Sequence, residues 1–188
     1  EVITTIDGDK QLAANKSLVD GLENYYDKRH GYRGATANYP LELYVDENTN
    51  AKDAWVEELQ QVSVIGNQHP AIVTSVEDLS FEAVLKSGQS AKVEWDGISW
   101  AYTFNSRNDA WPPPDIAADA VQVGDLIRLK NVDGQWQLGQ IPDIQGALVS
   151  MSPSNGEIIA LVGGYDFQHS QVNRVITPRP PGSNFKPF

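Results

Sequence analysis

The sequence contains no cysteine. That excludes thiol catalysis, thiolate zinc sites and disulfides, and it fits a reducing or an oxidising compartment equally. Positive charge is scarce: 14 Lys and Arg stand against 25 Asp and Glu, a formal net charge of −11. Such a surface repels phosphate backbones and anionic lipid. Long apolar runs are missing as well. The longest, between Glu157 and Gly164, is too short to span a bilayer, and the opening residues show no signal-peptide pattern. Internal repeats and low-complexity tracts are absent. What is present is ordinary globular material, 40% hydrophobic and 21% charged over 188 residues. That suffices for one or two domains with a sizeable core.

The charge is unevenly placed. Residues 1–40 hold six acids and five bases, residues 148–188 two acids and three bases, and residues 41–147 seventeen acids and six bases. The whole excess therefore lies in the middle, which suggests an inserted module with a surface of its own. The blander reading is that acidity serves solubility alone.

Val2–Ile6 is rich in β-formers. Asp7 then offers an N-cap and Asp9 a first-turn acid. Leu12, Leu18, Val19, Leu22, Tyr25 and Tyr26 recur at helical spacing, predicting an amphipathic helix over 8–28. Lys28, Arg29 and His30 suit its C-terminal end, and Gly31 and Gly34 stop it. Residues 35–50 read as loop and Lys52–Val62 as a shorter helix with Trp55, Leu59 and Val62 on one side. From Pro70 the pattern turns to β: Ile72–Val76, Phe81–Leu85, Ala91–Trp95 and Ile98–Phe104, with Asp96-Gly97 as a hairpin signal between the last two. Asn105–Pro114 reads as loop. Val123–Asn131 and Trp136–Ile141 form another hairpin across Asp133-Gly134. So many short strands without crossover helices predict a small antiparallel barrel, OB-like in preference to SH3-like. Ala147–Met151 and Ile158–Val162 form a third hairpin around Ser152–Gly156, expected to be buried on at least one face.

The fold class expected is mainly β with α. An OB-like antiparallel barrel (41–146) is inserted into a partial α/β subdomain made of strand plus helix (1–40) and a β-hairpin with the C-terminal stretch (147–188).

Ser183 and Lys186 form a Ser-x-x-Lys. On a helix starting at Gly182–Ser183 both lie on one face. A lysine amine kept neutral by desolvation or a second cation can take the serine proton, and the hydroxyl then attacks an acyl group. These two are the candidate catalytic residues. Lys86-Ser87-Gly88 and Ser106-Arg107-Asn108 resemble the Lys-Ser/Thr-Gly and Ser-x-Asn strings of penicillin-interacting serine enzymes, but their order is reversed, and both read as coincidences. His30, His69 and His169 have no ligand spacing, so no metal site and no cofactor are expected. His30 is expected to serve the helix end. Trp95, Trp100, Trp111 and Trp136 would suit a base-stacking platform, but such platforms need a basic groove. Core and partner-interface roles are expected instead, and no nucleic-acid partner.

Two stretches together resemble the transpeptidase domain of class A (bifunctional) penicillin-binding proteins. One is Val2–Asp7 with Leu12-Ala13-Ala14, Gly21-Leu22 and Tyr26–Gly34. The other is Ala147–Ser150, Asn155-Gly156, Ile158–Gly164, Asp166-Phe167, Asn173-Arg174 and Pro181–Phe188. The resemblance implies a peptidoglycan synthase at the periplasmic face of the inner membrane, held by one N-terminal membrane helix. A glycosyltransferase domain would polymerise glycan chains. The transpeptidase would cross-link stem peptides through an acyl-serine on Ser183 with Lys186 as base, and β-lactams would acylate the same serine. It also implies an outer-membrane lipoprotein activator on the inserted module. The glycosyltransferase domain, the genuine Ser-x-Asn and the genuine Lys-Ser/Thr-Gly are absent from these 188 residues, which end two residues after Lys186. This polypeptide alone, with no membrane segment, is therefore expected to be inactive with Ser183 frayed. The alternatives are a stand-alone periplasmic OB-fold module regulating cell-wall synthesis, a nucleic-acid-binding OB-fold, and a serine β-lactamase relative. Charge disfavours the nucleic-acid reading. β-Lactamases lack the Val2–Asp7 and Tyr26–Gly34 stretches and the insert.

Overall fold

The computed structural model describes residues 3–43, 50–106, 109–110, 112–178, 180 and 182–186. In chain order these form α1 (Gly8–Asp20), a π-type helical segment (Gly21–Asp27), α2 (Lys28–His30), β1 (Ala37–Asn38) and α3 (Ala51–Gln60). There follow β2 (His69–Val76), β3 (Ser80–Leu85), β4 (Ser90–Glu94), β5 (Phe104–Ser106), β6 (Asp109–Ala110), β7 (Asp125–Val132), β8 (Gln135–Gly139), β9 (Leu148–Met151) and β10 (Ile158–Val162). Single 3-10 turns lie at Leu41–Leu43, Trp95–Gly97, Ala117–Asp119 and Gly182–Phe185. Two compact units result: Glu1–Leu22 with Ile144–Phe188, and Glu23–Asp143. Residues 23–40, which the sequence reading groups with the outer segment, thus fall in the middle unit. Glu23, Asp27 and Tyr32 are buried there.

The middle unit is a closed barrel. β2, β3, β4, β8 and β7 are bonded in a ring, β7 returning to β2. Every pairing in the ring is antiparallel except β4 with β8, where Val93 opposes Trp136 in parallel. This is the five-stranded OB arrangement, with the third and fifth barrel strands parallel, and it excludes the SH3-like alternative. Alternation along each strand decides what lies inside. Ala71, Val73, Phe81, Ala83, Ala91, Val93, Ile127, Leu129 and Leu138 fill the lumen. Ile72, Val84 and Leu126 point the other way and are covered by Trp55 and Leu59 of α3. Asn50 caps α3 by accepting the Lys52 N–H. A register shift between Val73 and Ser75 adds the local twist that closure needs. β1 adds a short edge to β7 through Ala37 and Asn38.

Two expectations fail in this unit. Asp96-Gly97 makes no hairpin and Ile98–Phe104 is no single strand. Trp95–Gly97 is a 3-10 turn, after which Ile98 and Ala101 plug the barrel, fully buried. The glycine serves close approach instead of a tight reversal. A Cβ at Gly97 would lie 2.9 Å from Val93 Cγ1 and 3.0 Å from the Trp136 carbonyl. The expected 105–114 loop contains the small β5–β6 ladder. The Asp133-Gly134 hairpin forms as expected, both residues having positive φ, as a type I′ turn requires.

In the outer unit, Asp7 caps α1 by accepting the Lys10 N–H. β9 and β10 form the expected hairpin. Ile3–Ile6 is not a strand, and Val2 lies outside the described residues. The segment still runs against β10: Asp7 N–H donates to the Ile159 carbonyl (3.0 Å) and Thr5 Oγ1 to that of Ile158 (2.6 Å). Ile159 is the extra residue of a bulge. The Gln11 amide exchanges two bonds with Leu161, donating to its carbonyl and accepting its N–H. Burial of the hairpin is thin: Ala160 is buried, while Val149, Met151 and Ile158 are exposed. Along the helical stretch Leu22 is buried but Leu12 and Tyr25 are exposed. The wider π-type turn breaks the 3.6-residue phase, so Glu23 and Asp27 take buried positions.

Candidate functional site

Ser183 and Lys186 lie on the Gly182–Phe185 turn, where the Lys186 N–H donates to the Ser183 carbonyl at 3.2 Å. The two residues thus share one turn, and both are exposed. Pro181, Pro187 and Phe188 lie outside the described residues. Ahead of this turn, residues 163–177 are held by local bonds. Arg174 N–H donates to the Gly163 carbonyl, Thr177 Oγ1 to that of Asn173, and the Arg174 guanidinium reaches Ser170 Oγ and the Val172 carbonyl. A cavity of about 520 Å³ lies between this loop, the end of β10, and Asn15 and Val19 of α1.

The two look-alike strings play other parts. Lys86–Gly88 is the β3–β4 turn, and the Lys86 ammonium donates to the Gln60 and Val62 carbonyls at the C-terminus of α3. There a cation satisfies open helix-end acceptors. Of Ser106–Asn108, Arg107 and Asn108 lie outside the described residues, as does Trp111. His30 Nδ1 is 2.7 Å from the Tyr26 carbonyl, serving the helix end as expected. Trp95, Trp100 and Trp136 are half-buried against the barrel core.

The most developed electrostatic feature is one the sequence reading missed. β7 turns Arg128 and Lys130 outward, and both are buried. The Lys130 ammonium donates to Glu23 Oε2 at 3.2 Å and to Asn24 Oδ1 at 3.3 Å. Gln68 Nε2 donates to the other Glu23 oxygen at 2.9 Å. Asp27, 2% exposed, takes a two-pronged Arg33 bond at 2.7 and 3.2 Å, and Arg33 also reaches the Ile141 carbonyl. Lys28 lies over the Trp100 ring, and Tyr32 meets that ring edge-on. Desolvation, then the Lys130 charge, pushes the Lys28 amine below its ordinary range, with Glu23 opposing. Burial raises the Tyr32 phenol, Asp125 adds to this and Arg33 opposes. The available signal was in β7 itself: two of the six bases of the acidic segment stand in the apolar run Leu126–Lys130.

With this geometry established, comparison with known proteins is decisive. Residues 32–144 match the family described as penicillin-binding protein OB-like domain. The chain belongs to that family. Over its whole length it is 43% identical to penicillin-binding protein 1A of Pseudomonas aeruginosa and 36% to that of Escherichia coli, covering 22% of each. The crystal structure of penicillin-binding protein 1A from Haemophilus influenzae superposes with a TM-score of 0.69 at 30% identity, over 92% of this chain and 23% of that one. The chain thus spans about a fifth of its relatives' length. The family barrel is the middle unit, and the similarity runs on through both stretches of the outer unit.

Proposed function

We propose that this chain is part of a bifunctional peptidoglycan synthase, anchored in the inner membrane and working on its periplasmic face. The full-length similarity to penicillin-binding protein 1A carries this reading. In the longer parent, one domain polymerises glycan chains and a D,D-transpeptidase cross-links stem peptides. Ser183 Oγ attacks the penultimate D-alanine carbonyl, Lys186 takes the hydroxyl proton and passes it to the departing D-alanine, and an amine of a second stem peptide then takes the acyl group. β-Lactams acylate the same oxygen. The 188 residues alone are inactive in this reading: Ser183 and Lys186 are exposed on one 3-10 turn, whereas acyl transfer needs enclosing surfaces and oxyanion donors. The barrel is an inserted regulatory module that receives a partner, in the family's manner an outer-membrane lipoprotein activator. Seventeen of the chain's acids lie in residues 41–147, which supports this part.

Fluorescent penicillin tests the enzyme reading. The parent labels one-to-one, Ser183→Ala abolishes the label, and residues 1–188 alone do not label. Labelling that survives Ser183→Ala, or a natural polypeptide of only 20.7 kDa, overturns it. The second outcome would favour a stand-alone regulatory module.

A further inference from the structure

We infer that the docking face of the barrel is the end formed by the β2–β3 turn and the proline loop before β7, and that its partner is a basic polypeptide with an apolar anchor. This rests on the docking reading of the barrel, not on the parent's chemistry. The two segments are joined by a bond from the Ala117 N–H to the Asp78 carbonyl, 2.8 Å. That bond places Leu79 and Ile116 beside each other, 54% and 41% exposed. Trp95, half-buried, follows Glu94, which opposes Ser80 in the β3–β4 ladder, so the indole is at the same end as Leu79.

The patch is rigid. Ser80 Oγ and the Glu77 carboxylate close the β2–β3 turn, and the Asp119 carboxylate takes the N–H groups of Asp115 and Ile116. A preformed surface loses little freedom on binding. The segments that carry it are predominantly acidic. Glu77, Asp78, Glu94, Asp96, Asp115 and Asp119 lie within three positions of Leu79, Trp95 or Ile116 in the chain and are exposed, and the nearby Lys92 is already held by Glu94 at 3.0 Å. An apolar centre on acidic segments fits a partner of opposite charge and repels nucleic acid and anionic membrane. In OB-folds the loop joining the first two barrel strands borders the ligand face, and here that loop is the β2–β3 turn.

The probe is a fluorescent twelve-residue peptide with six Lys or Arg residues around a Leu-Phe pair, titrated against the 188-residue chain. Binding is expected to saturate and to weaken with salt. Asp78→Lys with Asp115→Lys, or Leu79→Ser with Ile116→Ser, should each weaken it by about tenfold or more. Glu57→Lys with Glu157→Lys makes the same charge change elsewhere on exposed positions and should alter it by less than about threefold. Equal losses from both charge-reversal pairs, or no effect of the Leu79 and Ile116 pair, overturn the assignment. Tight single-strand nucleic-acid binding at this face would do the same. Penicillin labelling of the parent is read separately, so either proposal can fail without the other.

Discussion

Glu23 and Lys130 offer the sharpest test of how the middle unit is held together. Each is 5% exposed and they meet at 3.2 Å. At that distance an effective dielectric of about 20 gives roughly 5 kcal/mol of attraction, largely offset by desolvation while both charges remain. Removing one charge removes that compensation while the other charge stays buried. Glu23→Gln preserves one acceptor for Gln68 Nε2 but removes the charge and turns the oxygen facing Lys130 into an NH2 donor, so Lys130 keeps only the neutral Asn24 oxygen. The expected cost is about 3–5 kcal/mol, which lowers the urea midpoint by about 2 M at an ordinary slope for this size. All five tryptophans, at 55, 95, 100, 111 and 136, lie in the Glu23–Asp143 unit, so fluorescence reports that unit. Lys130→Met should cost a similar amount, and the double variant much less than the sum. Two single losses below about 1 kcal/mol that simply add would mean that the pair acts like an exposed surface bridge, and the reasoning would be refuted.

Two further outcomes follow from the barrel. Gly97→Ala should cost about 1–3 kcal/mol by overpacking against Val93 and the β8 backbone, measured by chemical denaturation; an unchanged midpoint would remove the close-approach argument. The Tyr32 phenol is raised by burial, so the folded chain keeps a proton that the unfolded chain releases near pH 10. Stability from this group is full below that pH and is lost as pH rises through the folded value. Tyr32→Phe should therefore flatten the fall in urea midpoint between pH 9 and pH 11, and parallel curves for the two proteins would count against it.

Much of this fold was legible because its signals are local. β3 alternates Phe81, Ala83 and Leu85 inward with Glu82 outward; Asp133-Gly134 can adopt positive φ; and Asn50 and Asp7 announce helix starts. The charge count singled out the acidic segment before any geometry. What escaped was non-local. Asp96-Gly97 has the composition of a hairpin, and only the arrival of β8 beside β4 turns its glycine to another use. Lys130 in an apolar strand needs Glu23 from 107 positions away, and no periodicity within either segment pairs them. The spacing of Ser183 and Lys186 was readable, and the structure places the two on one 3-10 turn. Their chemistry was not readable from spacing, because it depends on surroundings that four residues do not specify.

Asp27, where the chain enters the barrel unit, accepts the backbone N–H of Asp143, where it leaves, at 3.4 Å. A cassette whose two ends meet like this can be spliced into a surface loop of a host with little loop-closure entropy and no stretching of the host's own backbone. The same closeness means that such a cassette can be lengthened, trimmed or replaced by a short splice across those two aspartates while the chain on either side keeps its path.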